Sequence, residues 1–137
     1  MSMLKPSPLA DKMLAVYRIV AGAIFMSAGT TILFGYPHNP MMPPLHLMSQ
    51  LGLAGILETF GGLAIVLGLF TRPVAFLLAG EMAVAYFQVH FPRSFWPTLN
   101  EGIPAILFCF LFLYLMFKGA GAWSLDGCIA CSKKSKT

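Results

Sequence analysis

The chain has 137 residues, of which 58% are hydrophobic and only 10% are charged, and its mean hydropathy is +0.77. Soluble domains are about 45–50% apolar and about 25% charged, so this composition excludes an ordinary soluble domain, and it is the opposite of a disordered chain. Cys109, Cys128 and Cys131 are too few, and odd in number, for a secreted disulfide scaffold. The composition therefore indicates a small integral membrane protein with one domain.

Four apolar runs are candidates for membrane-spanning helices, which require about 20 residues each. Proline-containing stretches separate them, and proline interrupts a helix because its nitrogen donates no hydrogen bond. The runs do not alternate polar with apolar residues, as the strands of a membrane barrel would. The sequence therefore predicts an all-α fold, an integral membrane bundle of four transmembrane helices, at about residues 13–34, 47–70, 73–91 and 103–117.

The predicted membrane domain covers residues 13–118, between an N-terminal tail at 1–12 and a C-terminal tail at 119–137. The first run is longer than the apolar core of a signal peptide, so we expect it to remain in the protein. We expect the domain to lie in the inner membrane of a bacterial cell, with the lipid bilayer as its main partner.

Basic residues outside the predicted spans indicate the orientation, because cytoplasmic segments of membrane proteins are enriched in lysine and arginine. Only Arg93 falls on one side of the membrane. Seven basic residues fall on the other side: Lys5, Lys12, Arg72, Lys118, Lys133, Lys134 and Lys136. Both termini are therefore predicted to be cytoplasmic. The net charge of +4 reflects this topology and does not indicate a nucleic-acid surface.

Three ionisable residues inside the predicted spans are the main candidates for chemistry. At a rise of about 1.5 Å per residue, Arg18 lies ~8 Å, Glu81 ~12 Å and Glu58 ~18 Å from the cytoplasmic ends of their helices. An ionisable group in hydrocarbon costs about 2.5–3.5 kcal/mol or more unless it is paired or faces water. We therefore expect Arg18 to contact at least one of the two glutamates inside the bundle.

Helical spacing places these three residues on faces where helices approach each other closely. The faces are Arg18, Gly22, Phe25 and Gly29; Gly55, Glu58, Gly62 and Ile65; and Glu81, Ala85 and Gln88. One arginine neutralises only one carboxylate, so the other glutamate, expected to be Glu58, should carry a proton or bind a cation or polar ligand. The centre is either a structural ion pair that fixes helix register or a catalytic site formed by Glu58, Glu81 and Arg18.

A second polar group is predicted at the outer end of the bundle. Its candidate ligand-binding residues are Gln88, His90 and Glu101, with Arg93 and Asn100 nearby in the sequence. Glu101 lies where the fourth helix begins, and a carboxylate at a helix N-terminus is electrostatically favourable. The alternative interpretation is a solvated loop that is anchored at the membrane surface.

Two further motifs suggest metal or thiol chemistry without forming a complete site. Cys128 and Cys131 form a CxxC pair, which can be a redox dithiol or half of a zinc site, but the tail that carries them is expected to be flexible. Thioether and imidazole groups suit copper, and they occur together in the proline-rich loop, although their spacing fits no compact motif: His38, Met41, Met42, His46 and Met48. We therefore predict no metal site.

Taken in order, several of these residues resemble the DoxX family of small four-span membrane proteins, over roughly residues 17–126. The resemblance rests on Arg18 with Gly22 and Gly29, Glu58-x-x-Gly61-Gly62 and Gly68, Thr71-Arg72, Glu81, and Gly119-x-Gly121-x-Trp123-Ser124-Leu125-Asp126. It implies a four-helix membrane fold and an association with oxidoreductases. Some members are subunits of a thiosulfate:quinone oxidoreductase, and others are tied to thiol redox balance. In this family the arginine and the two glutamates occupy recurrent polar positions.

Three functional hypotheses follow. The leading one is a quinone-linked or thiol-redox oxidoreductase subunit, with a quinone as the expected ligand and no covalently bound cofactor, because the sequence has no haem, flavin or iron–sulfur signature. The second is a carrier or channel for a small solute or metal. The third is a non-catalytic scaffold for a redox or stress-response complex. A soluble redox partner at the cytoplasmic face and a second copy of the chain are the expected protein partners.

Overall fold

The computed structural model describes residues 7–135, and all regular structure in this range is helical. The prediction of an all-α fold is therefore confirmed for these residues. Lys5 and Lys136, which contribute to the predicted orientation, lie outside the described range. The helices are α1 (Pro8–Phe34), α2 (Gln50–Ile56), α3 (Gly62–Leu67), α4 (Thr71–Ala85), α5 (Ile103–Lys118) and α6 (Leu125–Lys134).

Two π-helical turns make longer helices from these elements. Leu57–Gly61 joins α2 to α3, and Tyr86–His90 extends α4. Within residues 7–135 these elements form four long helical segments, at the positions of the four apolar runs. A π turn inserts one extra residue per turn and often occurs at functional sites. The first π turn carries Glu58, and the second carries Gln88 and His90.

Helix α1 begins five residues before the predicted start because its capping signals lie there. The Ser7 hydroxyl accepts a hydrogen bond from the backbone nitrogen of Ala10 at 3.2 Å, and Pro8 occupies the first turn, where its missing N–H costs nothing. The helix ends at Gly35, whose φ of 64° is left-handed and is readily adopted by glycine.

The four segments pack as two pairs that share one core. Helix α1 lies against α2, the first π turn and α3, while α4 lies against α5. Phe25 joins the pairs, because its ring lies 4.9 Å from that of Phe112 and 5.3 Å from that of Phe108. The two small-residue faces predicted for the first and second spans are buried, as expected.

Two helical segments in the described range are long and apolar enough to cross a membrane, Pro8–Phe34 and Gln50–Leu67. Ile103–Lys118 is apolar but shorter. The number of spans and the orientation of the termini remain predictions from the sequence.

The C-terminal segment is not the flexible tail that the sequence suggested. Ser124 caps α6 by accepting a hydrogen bond from the backbone nitrogen of Gly127 at 3.2 Å, and the helix continues to Lys134. Before α6, the chain returns to the bundle: the backbone nitrogen of Asp126 donates to the carbonyl oxygen of Gly68 at 2.9 Å. Residues 119–126 are therefore part of the folded domain.

Candidate functional site

Arg18 is fully buried, and main-chain carbonyl groups satisfy all of its hydrogen-bond donors. A guanidinium has five N–H bonds, and each one has an acceptor between 2.6 and 3.4 Å away. Two acceptors lie near the end of α3 and three lie in the segment after α5: Ile65, Val66, Ala120, Ala122 and Trp123. The arginine therefore ties α1 to α3 and to the returning C-terminal segment.

The predicted contact between Arg18 and a glutamate is wrong. No donor of Arg18 remains for a carboxylate, and the one ion pair between side chains shown in the described range joins Arg93 to Glu101 at 3.3 Å. The physical reason is the end of helix α3, where the carbonyl groups carry partial negative charge and each oxygen has two lone pairs that can accept hydrogen bonds. These carbonyl groups compete with a carboxylate for the guanidinium and lie closer to it.

An acidic side chain, that of Asp126, accepts hydrogen bonds at the start of helix α4. Its Oδ1 accepts from the backbone nitrogen of Phe70 at 2.8 Å and its Oδ2 from that of Thr71 at 2.9 Å, so it caps the N-terminus of α4 from a distant part of the chain. Burial raises the pKa of Asp126, but hydrogen bonds from Thr71 and Phe70 and the charge of Arg18 outweigh burial and hold this pKa below its ordinary value.

Sequence reasoning did not assign a role to Asp126. A usable signal existed, because Asp126 lies two residues after Ser124, in the same motif as Gly119 and Gly121. The structure explains that motif: its glycines adopt positive φ values of 87° and 69°, which direct the chain back toward Arg18 and α4.

Glu58 and Glu81 form a separate polar centre inside the bundle. Glu58 is 9% exposed and lies in the first π turn, while Glu81 lies in α4. Oε2 of Glu58 and both carboxylate oxygens of Glu81 are buried and have no hydrogen-bond partner. Helix α4 packs against the first π turn, so the two carboxyl groups lie in the same part of the bundle and their charges repel each other. Buried polar atoms are nearly always hydrogen-bonded, so this pair has an unsatisfied capacity to bind protons or a polar group.

Close backbone contact holds Glu58 in place. A β-carbon at Gly29 of α1 would overlap the backbone nitrogen of Thr59, and it would lie 2.8 Å from the carbonyl carbon of Glu58. Only glycine allows α1 to approach the π turn this closely. The Thr59 hydroxyl is also buried without a partner, so it adds a third polar group beside Glu58.

The outer residues form separate contacts and not one site. The Nδ1 atom of His90 lies 2.9 Å from the carbonyl oxygen of Asn100, and the Gln50 side-chain amide donates to that of Gln88 at 3.1 Å. Glu101 has a φ of 58°, lies before the first residue of α5 and contacts Arg93 at the surface. The structure therefore does not place His90 and Glu101 in contact.

The histidines and methionines of the proline-rich loop and the CxxC pair lie at the surface of the protein. His38 and Met42 line a cavity of about 230 Å³ next to the end of α1. Within residues 7–135, no three histidine, cysteine or acidic side chains are grouped as metal ligands would be. Cys128 and Cys131 are exposed free thiols, one turn apart on α6.

Sequence comparison identifies one protein family and two relatives. The family model described as DoxX matches residues 13–91. An uncharacterised protein of Haemophilus influenzae is 39% identical, with 82% of this chain and 87% of the relative aligned. The Escherichia coli K12 inner membrane protein YqjF is 30% identical, with 86% of this chain and 92% of the relative aligned. No solved structure matches significantly. The chain belongs to the DoxX family of membrane proteins.

Proposed function

We propose that this protein is a four-span inner-membrane subunit of a quinone-linked redox system, in which Glu58 and Glu81 exchange protons with the quinone. The observation that carries the proposal is the pair of buried carboxyl groups without hydrogen-bond partners. Ionisable residues inside a membrane domain are costly and mark proton or substrate pathways. The inner-membrane placement is supported by the relative YqjF.

The chemistry assigned to the pair is proton transfer alone. Reduction of a quinone to a hydroquinone consumes two electrons and two protons. In this proposal Glu58 and Glu81 deliver the protons through the bundle, and a redox partner at the cytoplasmic face supplies the electrons. Two neighbouring carboxyl groups suit this task, because repulsion between their charges favours a state in which at least one proton is held.

Arg18 has no part in this proton exchange. Its donors are all engaged by main-chain oxygens, so its role is to hold α1, α3 and the C-terminal segment together. This role is the structural alternative considered for the arginine, with carbonyl groups in place of the expected glutamate.

The proposal is tested by infrared difference spectra that are recorded while a short-chain quinone is reduced electrochemically in nanodiscs containing the protein. We expect a carboxylic-acid C=O signal that follows quinone reduction and is lost in Glu58→Gln and in Glu81→Gln. Glu101→Gln is the matched control, because Glu101 is exposed and belongs to the surface pair with Arg93. A spectrum without a carboxyl signal, or with one that survives both buried substitutions, contradicts the proposal.

A further inference from the structure

A cavity of about 480 Å³ opens at the end of the bundle where Arg18 and Asp126 act. Three parts of the chain form its walls: the beginning of α4, the end of α5 and the segment that leads into α6. Neither Glu58 nor Glu81 lines it. The cavity is therefore distinct from the buried carboxylate pair.

Two positive charges line this cavity without a partner among residues 7–135. Arg72 comes from the first turn of α4 and Lys118 is the last residue of α5, and both side chains are exposed. The Arg72 side chain lies close to the backbone of Gly119: a β-carbon at Gly119 would lie 3.5 Å from the Nε atom of Arg72. The guanidinium thus lies beside the Gly119 backbone, and its N–H groups have no acceptor among residues 7–135.

The acidic residue of the cavity does not neutralise these charges by direct contact. Both carboxylate oxygens of Asp126 accept hydrogen bonds from the backbone nitrogens of Phe70 and Thr71. The carboxylate is therefore directed at the N-terminus of α4, while Arg72 and Lys118 remain available. An oxyanion with several acceptor oxygens is the ligand that such a pair of cations recognises.

Aromatic side chains surround the same end of the bundle. Phe70, Phe117 and Trp123 are all exposed. Phe70 lines the cavity itself, and the other two are adjacent in the sequence to residues that line it. Aromatic rings of membrane proteins concentrate at the boundary between hydrocarbon and headgroups. The cavity is therefore placed where lipid phosphates lie, with apolar contacts available for the first carbons of an acyl chain.

We propose that this cavity binds the phosphate group of an anionic phospholipid, with Arg72 and Lys118 contacting the phosphate oxygens. Basic pockets at the ends of membrane helices bind anionic lipid headgroups in this way. The inference depends on the membrane placement of the bundle but not on the proton exchange assigned to Glu58 and Glu81. Its failure would leave that assignment intact.

The test measures binding of phosphatidylglycerol to the delipidated protein in a neutral detergent, by native mass spectrometry and by the shift in thermal unfolding temperature. Phosphatidylcholine and inorganic phosphate alone are the comparison ligands. We expect phosphatidylglycerol to bind at least about tenfold more tightly than either, and Arg72→Gln and Lys118→Gln each to weaken it about tenfold, the effect of one charge-assisted hydrogen bond. Arg72→Lys, which keeps the charge, should retain part of the affinity.

Lys12→Gln is the matched control, because Lys12 is an exposed cation near the same end of the bundle and is not part of the cavity wall. It should leave phosphatidylglycerol binding unchanged. Equal weakening by Lys12→Gln would show general charge attraction and overturn the proposal. Stabilisation by inorganic phosphate as large as that by phosphatidylglycerol would also overturn it, because the site would then take free phosphate.

Discussion

At the residue scale, Arg18 acts as a cap for backbone groups that lie far apart in the sequence. Its donors reach the end of α3 and the segment after α5, where four of the five accepting carbonyl groups, all but that of Ile65, would otherwise lack a hydrogen-bond donor. An unsatisfied buried acceptor costs about 1–3 kcal/mol, so one side chain prevents several such penalties. This explains why a buried arginine is tolerated here without a carboxylate beside it.

Arg18→Ala is therefore expected to lower the free energy of unfolding by about 3 kcal/mol or more, because it leaves four carbonyl groups without a donor, all of the five except that of Ile65. Adding Glu58→Gln should not rescue it, since the two side chains share no hydrogen bond. Unfolding in mixed detergent micelles measures both variants and the double variant. A coupling free energy well above about 0.5 kcal/mol would instead support direct pairing of the arginine with the glutamate.

The protonation of the carboxyl pair can be tested on the protein alone, without added quinone. Glu58 and Glu81 lie on elements that pack together, and buried oxygens of both lack partners. Ionising both would therefore place two unsolvated charges in the bundle. The infrared spectrum of the protein near neutral pH should contain a carboxylic-acid C=O band, which Glu58→Gln weakens or shifts. Because Arg18 does not bind Glu81, Glu81→Gln should not unfold the protein. Absence of the band, or an unchanged band in Glu58→Gln, would contradict the assignment.

Asp126 should make the stability of the protein depend on pH. The pKa of this carboxyl group is lowered in the folded protein, so its contribution to stability is complete above the ordinary aspartate pKa, about 4, and is lost as the pH falls through the lower folded value. Asp126→Asn should cost about 2 kcal/mol at pH 7, because one hydrogen bond and its charge are lost. Thermal unfolding at pH 7 and below pH 4 checks this, and the difference between variant and wild type should shrink in acid.

At the scale of elements, the glycine face of α1 sets the distance to the first π turn. A β-carbon at Gly29 would overlap the Thr59 backbone, whereas a β-carbon at Gly80 of α4 would meet nothing within 4 Å. Gly29→Ala should destabilise the protein by about 1–3 kcal/mol through overpacking, while Gly80→Ala should be neutral or stabilise it by up to about 1 kcal/mol. Equal unfolding temperatures for the two variants would contradict the close packing of α1.

The π turns show why some elements escape sequence analysis. The spacing of Gly55, Glu58, Gly62 and Ile65 predicts one buried face, and these residues are buried. Nothing in that spacing distinguishes α-helical from π-helical hydrogen bonding at Leu57–Gly61. The π turn lies where Gly29 of α1 approaches the Thr59 backbone, and such a tertiary contact leaves no local signal in the sequence.

For the molecule as a whole, hydropathy and spacing predicted the helical class, the main helical segments and the burial of Arg18 and Glu58. The partner of Arg18 was not predictable, because backbone carbonyl groups are present in every sequence and only the folded chain brings Ala120 and Trp123 to it. The return of residues 119–126 to the bundle was not predictable for the same reason. Charge counting identifies side-chain partners, but backbone acceptors follow from the path of the chain.

The orientation of the whole bundle is the remaining prediction from the sequence, and the structure supplies probes for it. Lysine and arginine enrichment places both termini in the cytoplasm, and Cys128 and Cys131 are exposed on α6. A small membrane-impermeant maleimide should therefore leave them unlabelled in intact cells and label them after lysis.

Thr98→Cys, in a chain whose three native cysteines are replaced by serine, is the control for the opposite side. Thr98 is exposed in the segment beside Arg93, which four spans place in the periplasm. This cysteine should react in intact cells, because only segments on the outer side meet the reagent. Labelling of Cys128 or Cys131 before lysis, or protection of the cysteine at position 98, would invert the topology. The cavity lined by Arg72 and Lys118 would then face the periplasmic leaflet.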